Sequence, residues 1–501
     1  MKYRDAADKL RAPQDLKERT LRAMENVRRP RRAAPRRWLT ATAAVALVIA
    51  AALCVQLFAG GGVLGKGARA LAVAQYPAVP VHPVEEDYID PATGERDEER
   101  YWADYYKWSK ERGEADSYHT VDRADDDYMA ALGVFSRAAL TRALGEADGD
   151  NLVYSPANVY MALALLTELT GGATRQQLLD ALGVEDTALL REQTYRLWRQ
   201  LYYDDEERVT HLVNSLWLAQ EVDAQQDTLD LLADNYFAST YRGDMGSKAM
   251  DQALRDWAND QTGGLLREHI DQLSTDPADV LALLSTVYFR ARWYTEFDPA
   301  QTGVQDFHNA DGTASNMDFM RQTSDRTYLW SDQFTAITLT LGGSAGMTLI
   351  LPDEGVTPQE LLSDEDALAL LLDRWGVDGS RWEGQTVCAE VALSMPKFDV
   401  SSELDLTAQL RDLGVTDVFT PNADFTPLSD TAKPRLTSAR HAARVTVDEE
   451  GCTATAIVEM LCGGMPPQPD QRVEFTLDRP FLFAITGAEG MPLFVGVVNH
   501  L

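Results

Sequence analysis

The hydrophobic and polar positions divide the chain into stretches of different character. Residues 38–59, WLTATAAVALVIAAALCVQLFA, are an uncharged apolar run of 22 residues with no surface-helix periodicity. Residues 129–144 carry apolar side chains at helical spacing and stop at Gly145, which predicts an amphipathic helix. A short strand at 151–154 follows. Ser155 and Pro156 then form a helix start, a capping residue followed by a proline whose missing N–H costs nothing there. Gly171 and Gly172 end that helix, and Thr174 with Gln177 has the spacing of a capping box for the next. β-rich runs at 210–218, 281–293 and 387–395 are separated by helical stretches at 226–236 and 248–261. Later helices are expected near 358–372 and 404–413. This mixture predicts an α+β domain with large, mainly antiparallel sheets from about residue 121 to 501.

The most unusual pattern lies at 444–477. Two strand-like runs, 444–448 and 472–477, bracket a segment of small apolar residues, Thr, Gly and Pro with neither helical periodicity nor a tight turn. Taken by twos, Cys452, Ala454, Ala456, Val458, Met460 and Cys462 form an uncharged apolar face. Thr453, Thr455, Ile457, Glu459 and Leu461 form a mixed one. Strand alternation inside an exposed loop is the feature to be explained.

Charge changes the picture at the N-terminus. Residues 1–37 hold 13 basic and 5 acidic residues, a net of +8, while the remainder beyond residue 59 holds 33 basic and 73 acidic, a net of −40. A surface so acidic excludes nucleic acid as a partner. The basic tail before 38–59 predicts a transmembrane helix with a cytoplasmic tail at 1–37, a signal-anchor, and an extracellular remainder. A secreted protein released by signal cleavage is the alternative. Residues 60–120 open like a linker and then run through RDEERYWADYYKWSKERGEADSY, too aromatic for a disordered spacer.

Catalytic chemistry is sparsely signalled. Gly342, Ser344 and Gly346 have hydrolase-elbow spacing, but TLTL precedes and MTLILP follows, so a hairpin turn is expected in place of a strand-to-helix elbow. Seven histidines are scattered, and neither a metal-ligand spacing nor a cofactor fingerprint occurs. Cys54 lies in the apolar run; Cys388, Cys452 and Cys462 are an odd set, read as free thiols.

The words around the loop, DEEGCTATA, then EFTLDRPFLFAITG and MPLFVGVV, resemble the hinge, reactive-centre loop and C-terminal strands of the serpins. Further segments resemble that family in order: NLVYSPANVYMALALLTELTGGATRQQL, VNSLWL, DWANDQTGGLL, LSTVYFRARWYTEFDP and MPKFDVSSELDLTAQLRDLGVTDVFTPNADFTPLS. The resemblance implies a serpin fold for 121–501 and the role of a protease inhibitor without a catalytic site or cofactor of its own. A target protease, of serine type and with small or apolar preference, cuts the loop, whose hinge side then enters the main sheet. The resemblance assigns Glu449, Glu450, Gly451, Cys452, Thr453, Ala454, Thr455 and Ala456 to the hinge. Ser155, Asn158, Ser285 and His441 correspond to a buried polar cluster under the point of sheet opening, and Trp293 to the top of the sheet. Counting from the hinge puts Met465 before the scissile bond. Pro466 after it obstructs cleavage, so Leu461, Cys462 and Gly464 stay open as alternatives. The acidic YYDDEER at 202–208 does not resemble a polyanion-binding helix, so no polyanion activation is expected.

Overall fold

The computed structural model describes residues 63–64, 67–77, 83–90, 93–120, 122–145, 149–204, 208–261, 273–342, 345–372, 381–430, 434–452, 472–487 and 491–501. The basic tail, the apolar run 38–59 and the loop residues 453–471 lie outside them. Among the described residues no helix is long and apolar enough to cross a membrane.

The helices are α1 (Glu98–Thr120), α2 (Asp126–Gly145), α3 (Pro156–Leu169), α4 (Gly172–Leu182), α5 (Thr187–Leu201), α6 (Gln226–Asn235), α7 (Lys248–Gln261), α8 (Pro358–Leu361), α9 (Glu365–Leu372) and α10 (Thr407–Asp412). The strands come in two sheets. The first contains β1 (Val63–Leu64), β2 (Ala68–Ala72), β4 (Tyr203–Asp204), β5 (Arg208–Ala219), β6 (Ala238–Gly243), β7 (Leu281–Arg292), β13 (Phe398–Asp405), β14 (Leu436–Val447) and β15 (Gly451–Cys452). Its order is β1-β2-β6-β5-β7-β14-β13, with β15 added to β7 and β4 to β5. The second contains β3 (Leu152–Tyr154), β8 (Gly303–His308), β9 (Ala314–Trp330), β10 (Phe334–Leu341), β11 (Ala345–Pro352), β12 (Thr386–Pro396), β16 (Arg472–Thr476), β17 (Phe481–Thr486) and β18 (Pro492–Val498). Its order is β16-β12-β9-β10-β11-β17-β18-β3, with β8 on β9. Most pairings are antiparallel; β5 with β6, β7 with β14 and β12 with β16 are parallel.

α3 is buried along its whole length, from Pro156 to Leu169, and its sequence is accordingly apolar apart from Asn158, Thr167 and Glu168. It carries two members of the polar cluster in or beside its first turn. Ser155 occupies the N-cap position before Pro156, as expected, but its side chain makes no capping bond. The capping box expected of Thr174 and Gln177 does not form. Helix α4 begins at Gly172 with Gly171 as N-cap, so Thr174 falls inside the helix. Thr174 Oγ1 instead accepts from Asp424 N at 3.0 Å, and Gln177 Oε1 accepts from Thr416 N and Asp417 N, both at 2.9 Å. These two polar residues hold a distant loop.

The largest departure from expectation is at 60–120. Where a linker was expected, Ala68–Ala72 is a strand of the first sheet and Glu98–Thr120 a helix. The opening reads as linker because of its Gly and Pro, yet the alanines between them are buried in a paired strand. The helix bearing the aromatic run packs on α5 and on the preceding turn: Tyr101 is 5% exposed and meets Tyr88 edge-on at 5.4 Å, with the Arg100 guanidinium over the Tyr88 ring. Phe334–Leu341 and Ala345–Pro352 pair antiparallel up to Leu341 opposite Ala345, so the Gly342 to Gly346 segment joins strand to strand, as a hairpin does.

Candidate functional site

The site lies between β7 and β14. These strands pair in parallel from Leu281 opposite Leu436 to Thr286 opposite Ala442, and among the described residues they pair no further. β7 continues to Arg292 and β14 to Val447. At the far end the two residues of β15 join β7 antiparallel, Gly451 opposite Arg292 and Cys452 opposite Ala291. On its other side β7 is paired throughout with β5, from Arg208 opposite Ala291 to Leu218 opposite Leu281. One side of β7 is therefore filled, and the other is filled only at its two ends. Residues 287–290 face a slot that a strand continuing from β15 would occupy.

The turn from Asp448 to Gly451, which the resemblance assigns as the hinge, is held by a dense set of bonds. Asp448 Oδ1 accepts from Glu450 N at 2.9 Å and Gly451 N at 3.2 Å, and Asp448 N donates to Gly451 O at 3.0 Å, which folds the chain from β14 back towards β7. Gly451 has a φ of 146°, and a Cβ there would lie 2.3 Å from Arg292 Cα, so glycine alone fits. Trp293, 2% exposed, donates its indole N–H to Asp448 O at 2.8 Å and its backbone N–H to Glu450 O at 3.1 Å. Phe297 N donates to Glu449 O at 3.1 Å. The Glu449 carboxylate accepts from Thr302 Oγ1 at 2.9 Å and meets Lys397 Nζ at 2.7 Å. Hydrogen bonding with Lys397 holds the Glu449 carboxyl below its usual range, and the same bond raises the Lys397 ammonium.

At the closed end of the slot the four polar residues come together. His441 and Ser285 are partners across the β14–β7 ladder. Ser155 N donates to His441 Nε2 at 3.0 Å, and Asn158 Nδ2 donates to Ser285 Oγ. His441 is 0% exposed; burial pushes its pKa down to about 4, so the imidazole is neutral with its proton on Nδ1. The Tyr154 ring meets it edge-on at 5.4 Å. Ser155 Oγ, Asn158 Oδ1 and His441 Nδ1 are buried and make no hydrogen bond to protein. The Asn158 and Ser285 side chains bond each other, whereas Ser155 takes part through its backbone N–H.

Two further contributors were not singled out from sequence. Asn214, on β5 opposite Ser285, is buried with an unbonded Oδ1, and Gly342 N donates to Arg292 O at 3.1 Å, so the hairpin turn clasps the top of β7. VNSLWL flags the first only as a buried polar residue in an apolar strand, and nothing local flags the second. Thr453, Ala454, Thr455, Ala456, Leu461, Cys462, Gly464, Met465 and Pro466 lie outside the described residues. Among the described residues no cluster of ligating side chains could hold a metal ion.

Comparison with known proteins bears on this arrangement. Residues 132–501 match the family model described as "Serpin (serine protease inhibitor)". The chain is 28% identical over 369 residues to Serpin-Z10 of Arabidopsis thaliana, covering 70% of this chain and 92% of that protein. It is 28% identical over 408 residues to plasminogen activator inhibitor 1 of Sus scrofa, covering 77% and 94%. Among solved structures, the thermophilic serpin tengpin in its native state superposes with a TM-score of 0.64 at 24% identity, covering 76% of this chain and 95% of that one. Thyroxine-binding globulin in complex with thyroxine gives 0.62 at 22% identity, covering 75% and 98%. With the family model spanning most of the chain, and a hinge strand seated beside a half-open sheet, this protein belongs to the serpin family.

Proposed function

We propose that the protein inhibits a serine protease by acting as its suicide substrate. The observation that carries this reading is the register at the slot: Cys452 already opposes Ala291, so a strand continuing from it sets Ala454 opposite Phe289, Ala456 opposite Val287 and Val458 opposite Ser285. Ser285 bonds Asn158 of the buried helix α3, so this alternate set of β7 residues faces the core. The uncharged face Cys452 to Cys462 would then be the one buried. A new central strand of about ten residues gains backbone bonds worth about 1 kcal/mol each and buries its apolar face, on the order of 10 kcal/mol in all. An intact loop tied at both ends cannot complete that insertion, so the uncleaved form is kinetically trapped.

The chemistry belongs to the target. Its nucleophile attacks the carbonyl of the residue before the scissile bond, releases the following amine and is carried off as an acyl ester while the hinge side inserts. Met465 is the leading residue before that bond, with Pro466 after it; Gly464, Cys462 and Leu461 are the alternatives, and each implies a protease of small or apolar preference. Ser155, Asn158, Ser285 and His441 act as the latch on sheet opening, and Trp293 holds the hinge at its entry. The hydropathy of 38–59 and the basic residues before it support a single-pass membrane protein with a cytoplasmic N-terminus and the serpin domain outside. Secretion after cleavage is the competing outcome. No polyanion is required as activator.

Incubation with elastase, subtilisin and chymotrypsin tests the reading. A heavy band that survives boiling in denaturant, with a rise in heat stability of the cleaved protein, is expected. Clipping with neither result overturns inhibition and favours a non-inhibitory binding protein of the same fold. N-terminal sequencing of the released fragment identifies the bond.

A further inference from the structure

Residues 67–76 precede the span that matches the family, yet they complete the same sheet. β2 pairs antiparallel with β6, Ala68 opposite Gly243 and Ala72 opposite Thr240. Ala68, Ala70, Ala72 and Ala74 are all buried. At Gly67 a Cβ would lie 1.8 Å from the carbonyl oxygen of Ala249, in the first turn of α7, so the fit against that helix depends on glycine. Ala74 N donates to Ser239 Oγ of β6 at 3.2 Å. The Tyr76 ring stacks on Trp198 and Tyr202, at the end of α5, at 5.9 and 6.1 Å, and on Phe237, just before β6, at 6.5 Å. Phe237 has a φ of 50°, a left-handed conformation that costs energy for a bulky residue, so β6 enters the sheet strained at the point where Tyr76 packs.

The strap thus joins four elements: the strand β6, helices α5 and α7, and helix α6, whose Gln226 Nε2 donates to Leu71 O at 3.4 Å. If a new strand enters between β7 and β14, as the proposed function requires, the block of β2, β6, β5 and β7 on one side of the gap must shift relative to β14 and β13 on the other. The strap is bonded to β6 within that moving block, so each contact it makes to an element outside the block changes in the shift. An element affects a transition only through contacts that differ between its two states. We propose that residues 67–76 are a brake on sheet opening, with Tyr76 as its fastening to α5 and Gly67 its fit to α7; this rests on the inhibitory reading above.

The test uses the full chain, uncleaved and at raised temperature, and follows how fast it loses the ability to form a boil-resistant complex. Tyr76→Leu keeps an apolar side chain but loses the stack, and is expected to accelerate that loss about tenfold. Ser239→Ala removes a single bond from the strap and is expected to accelerate it about threefold, which keeps the question open to decision if the Tyr76 variant fails to fold. The native form should melt lower while the cleaved form changes less. Unchanged rates, with native and cleaved forms destabilised equally, would overturn the brake and leave only packing. A parent protein that neither traps protease nor gains heat stability on cleavage would overturn the inhibitory reading itself, and with it the brake, and that failure is recognisable because it occurs without any substitution.

Discussion

Lys397 and Glu449 meet at 2.7 Å, joining the segment between β12 and β13 to the turn that leads into β15. Glu449 is largely buried and also accepts from Thr302, so one carboxylate fixes the hinge to two neighbours. Lys397 is about a third exposed, which discounts the pair to roughly 1 kcal/mol. Glu449→Lys should lower the melting temperature of the native form by a few degrees and speed the loss of inhibitory capacity on storage. Adding Lys397→Glu should recover part of both; a double variant no better than the single one would remove the pair from the account.

His441 makes stability depend on pH. Its folded pKa, about 4, lies below the ordinary 6.5, so between those values the unfolded or opened chain binds a proton that the closed form does not. Stability is complete above about pH 6.5 and falls with acid by up to about 1.4 kcal/mol per pH unit down to about pH 4. Melting between pH 8 and 4 should show this slope, and His441→Gln should flatten it. His441→Ala should ease opening by about 1 to 3 kcal/mol through the partners left unbonded, read as increased polymerisation and earlier melting.

The alternating face of the loop predicts a contrast between neighbours. In the register set by Cys452 and Ala291, position 456 falls opposite Val287, which is 4% exposed, and position 455 opposite Tyr288, which is only partly buried. Ala456→Lys would bury an unpaired ammonium and should turn trapping into plain digestion. Thr455→Lys should retain most of the trapping. Equal behaviour of the two variants on a denaturing gel would contradict the register.

Much of this was legible in sequence because local rules and the global fold agree there. The Ser155–Pro156 start, the mainly apolar α3 and Gly451 each state their geometry in their own residue types. The failures share a different cause. Thr174 and Gln177 have box spacing, but the helix starts earlier at Gly172 and their polar groups serve residues 416–424. The alanines at 68–74 carry no strand propensity, and their pairing with β6 comes from tertiary contact alone. Asn214 and the clasp of Gly342 on Arg292 depend on which strands become neighbours, and spacing along the chain does not reveal that.

Glu459 shows where face-counting from sequence needed the structure. By alternation from Cys452 it belongs to the mixed set of positions, which by itself implies a solvated carboxylate. A strand continuing in the same register would set it opposite Leu284, which is 3% exposed, so the carboxylate would lose part of its water there. On β14 the partner of Leu284 is Arg440, which now bonds Glu403 at 2.9 Å. A strand entering between β7 and β14 would bring Glu459 between Leu284 and Arg440, so the guanidinium is the group available to neutralise that charge. Arg440→Gln should therefore cost the native form only about 0–1 kcal/mol, the worth of a part-exposed pair. It should take distinctly more from the heat stability gained on cleavage, because it leaves a partly desolvated carboxylate alone. Glu459→Gln in the same chain should restore that gain. Melting the native and cleaved forms of the parent and three variants decides it, and equal losses in both forms would rule the pairing out.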